Sequence, residues 1–305
     1  MTFNFTKALA AVSETGADMT KAQAGGDFEI AAAGPTLLRL ISYIELGKHE
    51  GEFKGKKKLS NKIIIQFELS GKNHPPRDVD GVKYPHIVTV RENLSLNTKA
   101  RFFKLFGKLN WDGQSKHIVE LLARSAYYRG TVLHREYTVG GDTRKVAELY
   151  DRAEGVYKIS PPKVEQVDPE SGEVIGIIDV KVPRALTAPK LFLWDSPDMD
   201  QWASIFVGGE FEERKNDKGE VTAPARSKNV WQNTIKSAKN FPGSPIAELL
   251  LNNGVALDVD GVTDDVGGED GDEGEVANGA AAAKPAVKDV PTGDDADAAL
   301  NAAVA

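Results

Sequence analysis

Apolar and polar residues alternate with period two through most of the first half of the chain. Residues 36–47 place Leu38, Leu40, Ile44 and Leu46 on one side, interrupted only by Ser42, and Leu37, Arg39, Ile41, Tyr43 and Glu45 on the other. Alternation of this kind predicts a strand with one face turned to a core. Residues 62–69 repeat it with Ile63, Ile65, Phe67 and Leu69, and residues 85–96, 127–139 and 156–160 read as further strands. A short first strand is expected over residues 28–33, closed by Gly34-Pro35. Pro75-Pro76, Asp80-Gly81 and Gly140-Gly141-Asp142 supply turn chemistry between these runs. The period changes to that of a helix at 99–107, with Phe102, Phe103 and Phe106 and a cap at Asn97 or Thr98, and again at 115–124, with Ile118, Leu121 and Leu122. The order is three strands, a helical insert and two strands. That is the element order of an OB-like five-stranded barrel, over residues 28–163.

Beyond Pro162 the pattern predicts a hairpin, residues 164–167 and 174–182, turning at Asp168–Gly172. Leu191-Phe192-Leu193-Trp194 reads as buried. Helices are expected after Ser196-Pro197 (Met199, Trp202, Phe206), after Ser227 (Trp231, Ile235, Ala238) and from Ser244-Pro245 through Leu251. Residues 164–256 thus form a Trp-rich helical satellite on the barrel. Residues 1–27, rich in Ala, Thr and Gly, read as a flexible arm. Residues 257–305 hold Asp, Glu, Gly and Ala with no aromatic residue, and read as a disordered acidic tail. The fold class expected is mainly β with helical additions (α+β).

Charge changes this picture. The net charge of −7 conceals a basic body, because residues 36–163 carry 24 Lys/Arg against 14 Asp/Glu, a net of +10, while residues 258–305 carry −11. Such segregation points to a polyanionic partner, or to a tail that masks the basic surface. With no cysteine, disulfides, thiolate zinc sites and thiol catalysis are excluded. No apolar run approaches the roughly 18 residues that span a bilayer. Residues 1–7 lack a secretory pattern, so a cytoplasmic protein is expected.

Few residues suggest catalysis. Residues 51–57 imitate a phosphate loop, but the glycines are one residue too close and Lys57 stands where Ser or Thr would hold magnesium. The five histidines lack ligand spacing. Asp78-Val79-Asp80-Gly81 and Asp258-Val259-Asp260-Gly261 open like calcium loops without the bidentate glutamate. Asp195, Asp198 and Asp200 could hold two metal ions in a nuclease, yet at a helix start they read more simply as a cap and dipole complement. No metal and no cofactor is expected. What remains is a basic, ring-bearing surface suited to single-stranded nucleic acid. Its candidate phosphate contacts are Arg39, Lys54, Lys56, Lys57, Lys58, Lys62, Arg91, Arg129 and Arg135. Its candidate stacking rings are Tyr43, Phe53, Tyr84, Tyr127, Tyr128, Tyr137 and Tyr157.

Residues 37–47, the lysine-rich turn, residues 62–69 and Glu92-Asn93-Leu94-Ser95-Leu96 resemble the early strands of the OB-fold single-stranded DNA-binding proteins of tailed bacteriophages. Ser227-Lys228-Asn229 and Asn240-Phe241-Pro242-Gly243-Ser244-Pro245 are similar to a C-terminal signature of longer members, so the resemblance covers residues 30–250. It implies a non-enzymatic protein that coats exposed strands during replication and recombination, its acidic tail contacting replication proteins. The tail departs from that pattern by ending Ala303-Val304-Ala305, without a terminal aromatic. A virion assembly protein, using the Trp-rich satellite for subunit contacts, is the alternative reading.

Overall fold

The structure is a computed structural model, and it describes residues 30–53, 55–79, 81–139, 142–215 and 221–257. The expected N-terminal arm, the tail beyond Leu257 and Lys54 lie outside the described residues. Two long strands form the centre: β1 (Gly34–Phe53) and β2 (Lys56–Ser70) run antiparallel, from Leu37 opposite Ser70 to Phe53 opposite Lys56. The lysine-rich stretch expected as a loop is therefore the first part of β2. Lysine stems lie easily along an exposed strand, and Lys57 Nζ lies 3.8 Å from Glu50 on β1.

A small ribbon, β3 (Arg77–Val79) with β4 (Val82–Tyr84), precedes β5 (His86–Asn93), which pairs with the outer edge of β2. Helices α1 (Arg101–Leu109) and α2 (Ile118–Ala123) follow. Then β6 (Tyr127–Val139) returns to pair with Gly34–Arg39 of β1, and β7 (Asp142–Glu148) folds back on its far half. After a ribbon of β8 (Tyr150–Asp151) and β9 (Val156–Tyr157), β10 (Ile159–Ser160) adds to the outer edge of β6. The central path of the sheet is β10-β6-β1-β2-β5, with every pairing along it antiparallel. The chain is mainly β around this large antiparallel sheet, with few helices. Among the described residues no ladder joins β5 to β7 or β10, so the sheet does not close into the expected barrel.

The expected strand at residues 28–33 does not form over 30–33. Two histidines hold this segment instead: Nε2 of His134 bonds Ala31 O and Nε2 of His74 bonds Ala32 O, both at 2.8 Å, while Ala31 packs into the core.

The most consequential feature of β1 is a bulge. The ladder steps from Leu40–Phe67 directly to Ser42–Gln66, leaving Ile41 as an extra residue. One extra residue reverses the facing of those that follow it, up to a second shift of register between Glu45 and Gly47. The single apolar side expected over residues 38–46 is therefore split between two cores. Leu38, Leu40 and Tyr43 join Ile63, Ile65, Phe67 and Leu69 in a first core, closed by α1, α2, Tyr128, Val132 and Ile159. Ile44 and Leu46 join Ile64 in a second, on the opposite side of the sheet.

The rest of the chain builds the second core. β11 (Lys163–Val167) and β12 (Val174–Asp179) form the expected hairpin. β13 (Lys190–Phe192) then pairs in parallel with Ser42–Ile44, taking the edge that β6 leaves at the bulge. Helices α3 (Met199–Ser204), α4 (Val230–Lys236) and α5 (Pro245–Asn252) bury Trp202, Ile235, Ile246 and Leu250 against Phe192, Ile44 and Ile64. Between α3 and α4, β14 (Glu210–Phe211) pairs with β17 (Arg226–Ser227) and β15 (Arg214–Lys215) with β16 (Val221–Ala223). Ser244 caps α5 with Pro245 in its first turn, as expected, whereas α3 starts at Asp198 rather than Ser196, and α4 at Asn229 rather than Ser227. Phe206, expected on the apolar face of α3, lies beyond its end and is exposed.

Gly47 fixes the second core. Its φ is +82°, and a Cβ there would stand 2.2 Å from Cζ3 of Trp194. Glycine is needed both for the backbone and for the indole pressed on it.

Candidate nucleic-acid interface

The expected groove required cations and rings from distant strands to converge, and the structure distributes them. Tyr43 and Tyr128 are fully buried in the first core and offer no stacking face. The bulge turns Tyr43 inward, where its Oη donates to Glu45 Oε1 at 2.8 Å; burial and the adjacent carboxylate push the phenol well above its usual value. Burial also raises the Tyr128 phenol, whose Oη has no hydrogen-bond partner among the described residues. Tyr157 is buried as well, donating to Glu92. Lys62 is buried, its charge acting on Glu92.

Arg39 is a structural clamp. Nε donates to Pro183 O at 2.8 Å, Nη2 to Val182 O at 2.7 Å and Nη1 to Ser125 O at 2.8 Å, and the guanidinium carbon sits 5.2 Å from the centre of the Tyr127 ring. Burial lowers its pKa. Beside it, Glu68 accepts Leu186 N at 2.8 Å and Thr187 N at 3.0 Å. These two side chains hold the 182–187 segment across the sheet.

Other candidates are exposed but apart. Lys56, Lys57 and Lys58 occupy the tip of the β1–β2 hairpin, with Lys57 at 3.8 Å from Glu50. The Phe53 side chain and Lys54 lie outside the described residues. Tyr84 is exposed on β4. Arg91 and Arg135 do share a pocket, in the gap between β5 and β7, with Arg101, Arg152, Glu92 and Glu148. There Arg135 Nε bonds Glu148 at 3.1 Å, with its guanidinium 5.0 Å from the Tyr137 ring, and Arg101 Nε lies 3.1 Å from Glu92. Burial raises the Glu92 carboxyl, against the lowering effect of Arg101. Four arginines line this pocket with two carboxylates, and three of them, Arg101, Arg135 and Arg152, pair with Glu92 or Glu148 in a charge network at the open seam.

A further cleft lies elsewhere, and most of it is invisible to sequence pattern. About 580 Å³ in volume, it is lined by Thr36, Leu37, Ser70–Asn73, Arg129–Thr131, Lys158 and Ser160. Three of its lining residues, Lys72, Arg129 and Lys158, are cationic and none is acidic. Only Arg129 is among the expected site residues. Lys158 Nζ bonds Glu154 at 2.6 Å and Asp151 at 3.2 Å, outside the lining. Arg129 Nη1 donates to Lys163 O at 2.5 Å, and Lys163 Nζ lies 4.9 Å from the centre of the half-exposed Trp111 ring. Tyr127, 37% exposed, stands two residues before Arg129 on the same face of β6. The one sequence signal for this cleft is Gly130, an isolated glycine in a strand. A Cβ there would meet Leu38 Cδ1 at 2.6 Å and Lys158 O at 2.9 Å, so the glycine lets the Lys158 backbone approach.

Asp198 and Asp200 serve the start of α3. Asp198 caps α3, accepting Gln201 N at 2.7 Å and Gln201 Nε2 at 2.8 Å, and Asp200 lies in the first turn, the cap-and-dipole arrangement expected. Among the described residues no group of three or more His, Asp or Glu side chains is disposed to hold a metal ion. Trp194 and Trp202 of the Trp-rich satellite are inside the second core. Among the described residues no helix is long and apolar enough to cross a membrane. In comparisons with protein-family models, curated proteins and solved structures, the chain matches none.

Proposed function

We propose that the chain binds single-stranded DNA without sequence preference, as a non-enzymatic partner of phage-type replication and recombination. The cleft with three cationic and no acidic lining residues carries this reading. Strand phosphates follow Lys72 and Arg129, with Lys158 exchanging its carboxylate partners for phosphate, hydroxyls of Ser70 and Ser160 supply further donors, and Tyr127, two residues before Arg129 on β6, keeps 37% of its surface exposed. Stacking on such a ring contributes about 1–3 kcal/mol per base and is indifferent to sequence. The +10 body supports the same reading, as does the resemblance of residues 37–47 and 62–69 to phage single-strand binders. The OB-like element order, with β7 returning near β5, belongs to it.

Fluorescence-polarisation titration with single- and double-stranded oligonucleotides over a salt series tests it. Single strands bind more tightly, and Lys72→Ala and Arg129→Ala each reduce the slope of log K against log salt by about 0.7. Equal affinity for duplex, or slopes unchanged in both variants, overturns the assignment to this cleft.

A further inference from the structure

The β11–β12 ribbon has no core on either side. Val164, Val167, Val174, Ile175, Ile177 and Ile178 are all exposed, from 38% at Val164 to 67% at Ile177. Among the described residues the ribbon is held at its root, where Lys163 O accepts from Arg129 and Val180 N donates to Pro162 O at 2.7 Å. A two-stranded ribbon is marginal in water by itself. A cluster of branched aliphatic side chains on such a ribbon marks a surface that another body covers.

Charge identifies that body. The ribbon and its turn carry Glu165, Asp168, Glu170, Glu173 and Asp179 against Lys163, a net of −4. This repels nucleic acid and disfavours pairing of one ribbon with another. The complementary surface is on the chain itself. At the β1–β2 tip Lys56, Lys57 and Lys58 are exposed beside Leu59, which is 53% exposed. That tip stands at the far end of β1 from Leu37, where Arg129 and the ribbon root are. Sixteen further residues of strand separate the two, roughly 50 Å at about 3.3 Å per residue before bending. The ribbon, six residues at its longest strand, reaches only about 20 Å.

We infer that the β11–β12 ribbon docks on the lysine-rich β1–β2 tip of a second copy of this chain. The two surfaces differ, so the contact is head-to-tail and propagates into open chains. The inference does not depend on the nucleic-acid reading and is tested without DNA.

Sedimentation velocity of the full chain over a range of protein and salt concentrations supplies the test. Concentration-dependent association that weakens with salt is expected. Ile175→Ser/Ile177→Ser, on the ribbon, and Lys56→Glu/Lys57→Glu/Lys58→Glu, on the tip, each weaken it by roughly tenfold or more. Both sets of substitutions are at exposed positions, and an unchanged melting temperature confirms the fold. Mixed together, the two variants form a 1:1 dimer and nothing larger, because each retains one intact surface. A monomer at all concentrations overturns the inference. So does association lost only in the ribbon variant, which means ribbon pairing with ribbon, or only in the tip variant, which puts another acidic segment on the lysines. Failure of the mixed variants to pair overturns it equally.

Discussion

Tyr43 shows how a residue's role turns on a single neighbour. An aromatic residue flanked by Arg39 and Glu45 on an alternating strand reads as a surface ring, and the extra Ile41 sends it into the core. Tyr43→Phe is expected to lower stability by about 1–2 kcal/mol through the lost bond to Glu45, and to leave DNA affinity unchanged. Urea denaturation and the polarisation titration read the two effects separately. Glu45 gives a pH signature. Burial raises its carboxyl above the ordinary 4.5, although Trp194 N–H and Tyr43 Oη both donate to it. The folded state therefore holds the proton more tightly than the unfolded chain. The stability this group contributes is complete below the ordinary value and is lost as pH rises through the raised one. Glu45→Gln removes that dependence, so its cost relative to wild type is larger at pH near 4 than at neutrality. Urea midpoints of both proteins across that range check it, and a difference constant with pH would contradict it.

At the scale of elements, the strands were legible and their partners were not. Residues 36–47, 62–69, 85–96 and 127–139 overlap observed strands, and Ile118, Leu121 and Leu122 form the buried side of α2 as their spacing indicates. The parallel pairing of β13 with β1 follows from the bulge, which frees an edge, and no local pattern announces it. Gly47 makes that junction sensitive. Gly47→Ala meets the Trp194 ring at an unfavourable φ, and a loss of about 3 kcal/mol or failure to fold is expected from overpacking plus backbone strain. Thermal denaturation measures it. The 182–187 segment rests on charged hydrogen bonds, so Arg39→Ala lowers stability by about 2–3 kcal/mol and exposes this segment to limited proteolysis. Were Arg39 a phosphate contact instead, the salt slope would change while the proteolytic pattern would not.

Over the whole molecule, charge distribution decides what the protein meets. Deleting residues 258–305 takes the net charge from −7 to +4, since that segment carries −11. If the tail competes for the cationic cleft, the truncated chain binds single strands more tightly, and the gain shrinks as salt screens the tail. Unchanged affinity at low salt would remove the tail from the binding mechanism. The open seam between β5 and β7 belongs to this scale too. Arginine–glutamate pairs line it where a closed barrel would place backbone hydrogen bonds.

Sequence alone determined the mainly-β class, the helical insert, most of the strand positions, the Ser244–Pro245 helix start and the segregation of charge. These are local or additive properties, set by period, turn chemistry and composition. Tertiary structure decided which face each residue takes after Ile41, and hence that Tyr43 is core; it decided separately that Tyr128 on β6 is core and that Arg39 is a clamp. It also decided that Lys72, Arg129 and Lys158, 86 positions apart at the extremes, line one cleft. A bulge is a choice between pairing registers made by the packing on both faces of the sheet, and a cleft is a meeting of distant segments. Neither has a signature within a window of neighbouring residues.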